Sequence, residues 1–452
     1  MTIPARFSHQ EISYQRQLQL DRMFDTSDPG TGKTRVQLDV HQWHRHRGGK
    51  AALVVAPKTL LYPAWVEDAK RFTPEMKVSV ATAPNRNKGF APRADMYVTN
   101  SDAATWLASQ SAAFFERFDT LIMDEITYFK NPTSKRSKAM AKIARYFPRR
   151  YGLTGTPSPN HITDLWHQIF LLDDGERLGQ SYFAFRNATC DPIALNIPGN
   201  PHVRKWIPRE GIEFQVANLI ADINIRHRFE DCVDIPETHT THIRYDMAPA
   251  AFKQYKDLAR TAILALQEGY VLGVNKAALM NKLFQACSGS VYTQTGEVGV
   301  LDSQRADILV DLARDREHSV IFYQWEHQRD YLLKRLKQAK LSTCVLTGTA
   351  KQRNTVVTRF QNGLYRVFLA HPQSSGYGLT LTKANSWVWG SLTWNLEHYL
   401  QGNRRVARAG QTKKTEKVII TANNTIELDV YKRLMAKNAT QDGILNILEQ
   451  LQ

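Results

Sequence analysis

Short, almost wholly apolar runs recur along the chain at Ala51–Ala56, Met96–Thr99 and Thr120–Met123, and again at Ser319–Tyr323, Val367–Ala370 and Val418–Thr421. Runs of this kind suit strands buried on both faces, and longer helical stretches separate them. That rhythm predicts parallel sheets with crossover helices. It occurs twice, over about residues 45–155 and 305–425, so the expected fold class is α/β with two tandem lobes.

The intervening region reads differently. Residues Asp173–Pro208 carry turn-forming pieces such as Ile197-Pro198-Gly199-Asn200-Pro201, and Pro249–Ala286 has a mainly helical pattern. In the tail, Ile426, Val430 and Leu434, then Ile444, Leu445, Ile447 and Leu448, predict one or two closing helices packed on a lobe. The predicted organisation is an N-terminal lobe over 1–230, with its core to about 172 followed by insertion and linker, and a C-terminal lobe over 231–452. The second comprises a helical insertion to about 300, a core over 301–424 and bracing helices over 425–452. Two domains also suit 452 residues, which exceed what one hydrophobic core supports.

Composition narrows the class. Apolar residues at 42% and charged residues at 23% are ordinary for a globular protein, whereas 59 Lys+Arg against 43 Asp+Glu leave a net charge of +16. Such an excess favours a polyanionic partner through phosphate contacts and counterion release. No apolar run approaches the ~20 residues needed to span a bilayer, and Met1–Gln10 lacks a signal-type segment, so a cytoplasmic protein without membrane partners is expected. Cys190, Cys232, Cys287 and Cys344 are far apart and form no zinc-type pair, which predicts reduced thiols. The run His41-Gln42-Trp43-His44-Arg45-His46-Arg47 reads as a solvated basic helix end, since no carboxylate or cysteine joins the histidines.

The strongest local chemistry is Ser27-Asp28-Pro29-Gly30-Thr31-Gly32-Lys33-Thr34. A glycine-rich turn leading into a helix presents backbone N–H groups, with the helix N-terminus, to a phosphate chain. Gly30 and Gly32 permit the close approach, Lys33 would reach the β and γ phosphates, and the Thr34 hydroxyl would bind Mg²⁺. Asp28, Pro29 and Thr31 complete the loop, although Ser27 stands where the strict pattern has glycine. Downstream, Leu121-Ile122-Met123-Asp124-Glu125 is an apolar strand ending in two acids, suited to hold Mg²⁺ with Asp124 and to orient an attacking water with Glu125. Alone, such a pair is equally a helix-starting cap; beside the loop it completes an ATP and Mg²⁺ site.

With these in order, the chain resembles superfamily 2 helicases, and within them the Snf-like (Swi/Snf-type) DNA translocases in a compact, bacteriophage-like form. Gln10 in Phe7-Ser8-His9-Gln10 falls where that family places its adenine-reading glutamine. Leu53-Val54-Val55-Ala56-Pro57 is similar to motif Ia, Asp124-Glu125-Ile126-Thr127 with Lys130-Asn131-Pro132 to motif II, and Leu153-Thr154-Gly155-Thr156-Pro157 to motif III. In the second lobe, Val320-Ile321-Phe322-Tyr323 resembles motif IV, and Gly376-Tyr377-Gly378-Leu379-Thr380-Leu381-Thr382 motif V. Gln401, Arg405, Arg408, Gly410 and Gln411 reproduce the QxxxRxxRxGQ pattern of motif VI, and Thr425-Ile426-Glu427 is similar to a bracing segment.

The resemblance implies two RecA-like P-loop NTPase lobes, with a mainly helical insertion between them. It also implies catalytic roles for Lys33, Asp124, Glu125, Gln401, Arg405 and Arg408, nucleotide contact by Gly378, and coupling through Thr154, Gly155 and Thr156. Spacing places Arg405 and Arg408 near one helical face after Gln401. Thr127 departs from the histidine of many relatives, which puts a polar relay toward Gln401 in doubt.

From Lys130 to Arg150 there are eight Lys or Arg and no acid. Lys135, Lys138, Lys142, Arg145 and Arg149 recur at helical spacing, which suits a solvated charged face or, given the absence of balancing acids, a phosphate-tracking stripe. The resemblance adds backbone contacts at Lys58, Thr59, Asn100, Ser101, Trp325 and Thr382, although an aromatic after a buried strand, as Trp325 is, more often packs. The expected activity is a nucleic-acid-dependent ATPase that moves along or remodels duplex or branched DNA, in phage DNA replication, recombination or repair, as a monomer with replication or recombination partners. A strand-separating DNA or RNA helicase and a nucleotide-switched binding protein stay open as alternatives.

Overall fold

The computed structural model describes residues 3–194, 203–232, 236–267, 273–292, 298–375, 379–408 and 410–451. Two compact units emerge: 1–193, 204–234 and 437–452 form the first, and 194–203 with 235–436 the second.

In the first unit seven parallel strands lie in the order Val78–Ala81, Met96–Asn100, Ala51–Ala56, Phe118–Asp124, Arg149–Leu153, Arg22–Asp25, Asn224–Ile225. The central strand Ala51–Ala56 is buried along its length because helices cover both faces. One apolar layer gathers Leu53, Val55, Leu121, Met123, Met140 and Ile169, and the opposite layer Val36, Val54, Trp65, Ile122 and Tyr151. Register fixes what matters for function: Asp25 pairs with Leu153, and Leu153 with Asp124, so three strand ends reach the same edge.

The second unit carries six parallel strands in the order Thr238–Tyr245, Thr415–Ala422, Ser386–Trp389, Ser319–Phe322, Val367–Ala370, Thr343–Val345. Phe322, Phe368, Trp387, Trp389 and Tyr399 dominate its larger core layer. The helical pattern of the middle region corresponds to helices Pro249–Gln267 and Gly273–Cys287.

Several expectations need correction. The chain closes in one helix, Ile426–Gln450, within the one or two expected, but the helix does not pack on one lobe, because its two ends belong to different cores. Ile426, Val430 and Leu434 pack in the second unit, whereas Ile444, Leu445 and Leu448 are buried in the first, so residues 437–452 leave the predicted second lobe. The linker read after residue 172 also contributes first-lobe structure, since helix Ile212–Ile220 buries Val216 and Ile220, and Asn224–Ile225 forms the edge strand. Thr238–Tyr245 is an eight-residue strand that the apolar pattern does not reveal, because as an edge strand it is only half-buried and pairs polar side chains: Thr238 Oγ1 lies 2.6 Å from Thr415 Oγ1 and His242 Nε2 2.8 Å from Thr421 Oγ1.

The histidine run is not wholly solvated either. His41 is buried and hydrogen-bonds the Asp95 carbonyl at 2.8 Å, with burial pushing its pKa down to about 4. Among the described residues no group of His, Cys, Asp and Glu is arranged to hold a metal ion by itself, and no helix is long and apolar enough to cross a membrane.

Candidate nucleotide site and nucleic-acid surface

Strand Arg22–Asp25 delivers the chain into the phosphate loop with Met23 and Phe24 fully buried. Asp25 Oδ1 accepts the Ser27 N–H at 2.9 Å, which starts the turn. Gly30 at φ +96° and Gly32 at φ +84° occupy the left-handed region, and Gly32 is the N-cap of helix Lys33–His46. The left-handed backbone is what demands glycine at position 32, where a Cβ would lie 2.2 Å from Gln10 Nε2 and displace that amide. The Lys33 ammonium donates to the carbonyls of Ser27 at 2.6 Å and Asp28 at 3.1 Å, folded into the loop where phosphate oxygens would compete for it. Thr34 follows as the second helical residue. These features fit a nucleoside triphosphate: a glycine-lined cradle, a helix N-terminus and a lysine held by replaceable acceptors.

Gln10 lies beside the loop, with both ends of its amide hydrogen-bonded. Its Oε1 accepts the Phe7 N–H at 3.1 Å and its Nε2 donates to the Thr31 carbonyl at 3.1 Å. His9 hydrogen-bonds the same carbonyl at 2.8 Å.

Asp124 ends its strand almost wholly buried, and burial raises its pKa, while the Trp65 indole N–H, 2.9 Å from Oδ2, favours the carboxylate. Trp65 itself is inaccessible to solvent, on the segment Leu61–Val66. Glu125 adopts φ 51° and ψ 57°, a left-handed conformation that costs a non-glycine residue about 1–2 kcal/mol. Such strain persists only where the surroundings enforce it, and here it turns the chain from the strand straight into the helical turn Ile126–Phe129. The Thr154 hydroxyl donates to Glu125 Oε2 at 3.4 Å and accepts the Thr156 N–H at 3.0 Å. Gly155 packs on Pro29, whose Cδ would lie 2.5 Å from any added Cβ. The coupling candidates Thr154, Gly155 and Thr156 therefore touch both the acid and the phosphate loop. Thr127 is buried, and its hydroxyl has no hydrogen-bond partner among the described residues.

Sequence reasoning missed the loop's support. Asp28 forms an ion pair with Arg226 at 3.0 Å and accepts the Phe229 N–H at 3.1 Å. Ser27 Oγ accepts the His227 N–H at 3.1 Å, and the Phe229 ring would meet a Cβ on Gly30 at 3.0 Å. Asp28 is thus a structural anchor of the loop.

In the second unit, Gln401 lies on helix Leu396–Asn403, buried, with Nε2 donating to Glu397 Oε1 at 3.2 Å. The helix stops at Asn403, whose Oδ1 accepts both the Trp387 and Trp389 indole N–H groups at 2.9 Å. Arg405 and Arg408 consequently sit in the following turn and not on a helical face. They converge by another route, each donating Nη1 to the Leu379 carbonyl, at 3.2 Å and 2.9 Å. Gly378 lies outside the described residues.

The nucleic-acid candidates divide by exposure. Lys135, Lys138 and Lys142 are exposed on helix Lys135–Ala144, whose N-cap Ser134 accepts the Ser137 N–H, while Met140 and Ile143 face the core. Arg149 leaves the predicted stripe, because it belongs to a strand and pairs with Asp119. Lys58 and Thr59 are exposed just beyond strand Ala51–Ala56. Asn100 and Ser101 are buried, and Ser101 Oγ donates to the Ala56 carbonyl at 3.3 Å, so burial removes both from the exposed set. Trp325 is half-buried against Phe284, and Thr382 Oγ1 accepts from Gln361 at 3.1 Å.

Residues 20–288 match the SNF2-related domain, and residues 304–410 the helicase conserved C-terminal domain. The chain belongs to the SNF2-related family. A protein p41 of Acyrthosiphon pisum secondary endosymbiont phage 1 is 29% identical over 93% of this chain and 94% of its own length. The DNA annealing helicase and endonuclease ZRANB3 of Mus musculus is 24% identical over 94% of this chain, which spans 39% of that protein. A solved Sulfolobus solfataricus SWI2/SNF2 ATPase core in complex with dsDNA has 21% identity, covering 99% of this chain and 95% of that one, with a TM-score of 0.45. As an SNF2-related protein with both helicase domains, the chain is a nucleic-acid-dependent ATPase built on two parallel-sheet α/β lobes.

Proposed function

We propose that this SNF2-related protein is an ATP-driven translocase of duplex or branched DNA, serving DNA replication, recombination or repair. The observation that carries the reading is the meeting of the phosphate loop, Asp124–Glu125 and Thr154–Thr156 at three adjacent, in-register strand ends. Lys33 leaves the loop carbonyls to neutralise phosphate charge, Glu125 orients the attacking water, and Thr154 senses Glu125 while Gly155 abuts the loop. Arg405 and Arg408 act as arginine fingers that stabilise transition-state charge. Thr34 and Asp124 would hold Mg²⁺, which when bound screens the triphosphate oxygens. Lys58, Lys135, Lys138 and Lys142 supply sequence-independent backbone contacts, suited to a motor that steps along any sequence.

Steady-state ATPase measured with duplex, four-way, forked and single-stranded DNA and with RNA tests the substrate class. Duplex or branched DNA is expected to give the largest stimulation; equal stimulation by single-stranded RNA with none by duplex sinks the proposal. The Trp65 bond to Asp124 makes a separate prediction. In Trp65→Phe the Mg²⁺ concentration for half-maximal ATPase rises by roughly 10-fold or more, as expected when a group that orients a metal ligand is lost. A Mg²⁺ titration that superimposes on the unmodified protein's would refute it.

A further inference from the structure

At the C-terminal end of the basic helix the surface opens into a cavity of ≈460 Å³, lined by Gln110, Phe115, Lys142, Ile143, Arg145 and Tyr146 among others. Its volume falls within the ~300–1,000 Å³ of small-ligand sites. The Tyr146 ring lies parallel to Phe115, with centroids 4.5 Å apart and 5° between planes. Phe115 is only 3% exposed and is held edge-on by Phe114 and Phe147, whereas Tyr146 remains 47% exposed. A buried ring therefore holds an exposed one in a fixed plane. Lys142 and Arg145 are both exposed, and the cavity lining contains no acid; outside it, Asp174 lies 3.9 Å from Arg145 as a loose ion pair.

We propose that this cavity receives an unpaired nucleotide of a DNA strand, with its base stacked on Tyr146 and its phosphates on Lys142 and Arg145. Lys138 and Lys135 continue the cationic row from Lys142 along the same helix for about 10 Å, from the rise of 1.5 Å per residue. An aromatic platform flanked by cations is the chemistry that binds single-stranded nucleic acid without sequence preference. Bases within a duplex are already stacked on one another and offer no free face, so the platform selects unpaired positions. The inference rests on the proposed engagement of DNA and adds to it a means of recognising the unpaired nucleotide at a branch or fork.

Fluorescence anisotropy with a labelled single-stranded oligonucleotide and a blunt duplex, without ATP, tests it. Tyr146→Ala is expected to weaken single-strand affinity by about 10-fold, Tyr146→Phe to retain it, and duplex affinity to stay within about 2-fold in both. Tyr146→Leu keeps apolar cover over Phe115 without a π face and should lose affinity like Tyr146→Ala, which guards against a simple packing defect. Lys142→Ala lowers the slope of log affinity against log salt by about one. Absent single-strand binding by the unmodified chain, unchanged affinity in Tyr146→Leu, or equal losses for single strand and duplex would each overturn the inference. The broader reading fails by a different measurement, if duplex and branched DNA leave the ATPase of the unmodified chain unchanged.

Discussion

Glu125→Gln is expected to lower the ATPase turnover number by ~10²–10⁴ while leaving nucleotide affinity within a few-fold. Gln is nearly isosteric, so it keeps the hydrogen bond from Thr154 and has no new reason to alter the left-handed turn. It removes the carboxylate proposed to position and deprotonate water, and loss of a positioned general base costs about that range. In the proposed site, nucleotide affinity would reside elsewhere, in Lys33 and the backbone of the loop. Turnover and fluorescent-nucleotide binding measured side by side decide the matter: a turnover within about 3-fold of the unmodified protein removes Glu125 from the catalytic set, and a parallel loss of binding would recast it as a structural residue.

The second large effect is on stability. Glu427 and Arg305 form an ion pair with both side chains essentially inaccessible to solvent. Arg305 also donates to the Gly390 carbonyl at 2.8 Å and to the Tyr245 hydroxyl at 3.1 Å, and Glu427 Oε2 accepts the Ala422 N–H at 2.8 Å, while Glu427 Oε1 is buried without a hydrogen-bond partner among the described residues. Glu427→Ala strands a buried guanidinium and should cost about 3–5 kcal/mol. Replacing both residues with apolar ones, as in Arg305→Met with Glu427→Leu, should recover most of that loss, because the desolvation of both charges is relieved together. Urea unfolding followed through the tryptophans of the second core reads both variants, and a single-variant loss below about 1 kcal/mol contradicts the assignment.

The two predictions rest on residues that were not equally legible in sequence. The phosphate loop, the strand before Asp124 and the central strands announce themselves through local patterns, a glycine turn or an unbroken apolar run, and the fold places them accordingly. Arg226, His227 and Phe229 gave no such signal. Their importance lies in pairing with Asp28, Ser27 and Gly30 some two hundred residues earlier, and a long-range ion pair leaves no periodicity to read. Trp65 was equally silent, since an apolar residue in an amphipathic stretch reads as core until its N–H is found on Asp124. The spacing of Arg405 and Arg408 suits a helix, but that helix stops at Asn403, and a shared carbonyl acceptor brings the two side chains together instead. Arg149 shows the converse error, a charge counted toward a surface stripe although strand pairing and Asp119 claim it.

The chain leaves its first lobe, builds the second and then returns Ile444, Leu445 and Leu448 to the first core. The lobes are therefore not separable cassettes in the gene. A recombination event that exchanged everything beyond residue 235 for the homologous part of a relative would also exchange three core side chains of the lobe it left behind, and those side chains would have to fit a cavity that had evolved with different occupants. Inheritance of intact phosphate-loop lobes with foreign second lobes should thus be constrained by packing in the first, so that viable crossovers carry the closing stretch 437–452 along with its own N-terminal half.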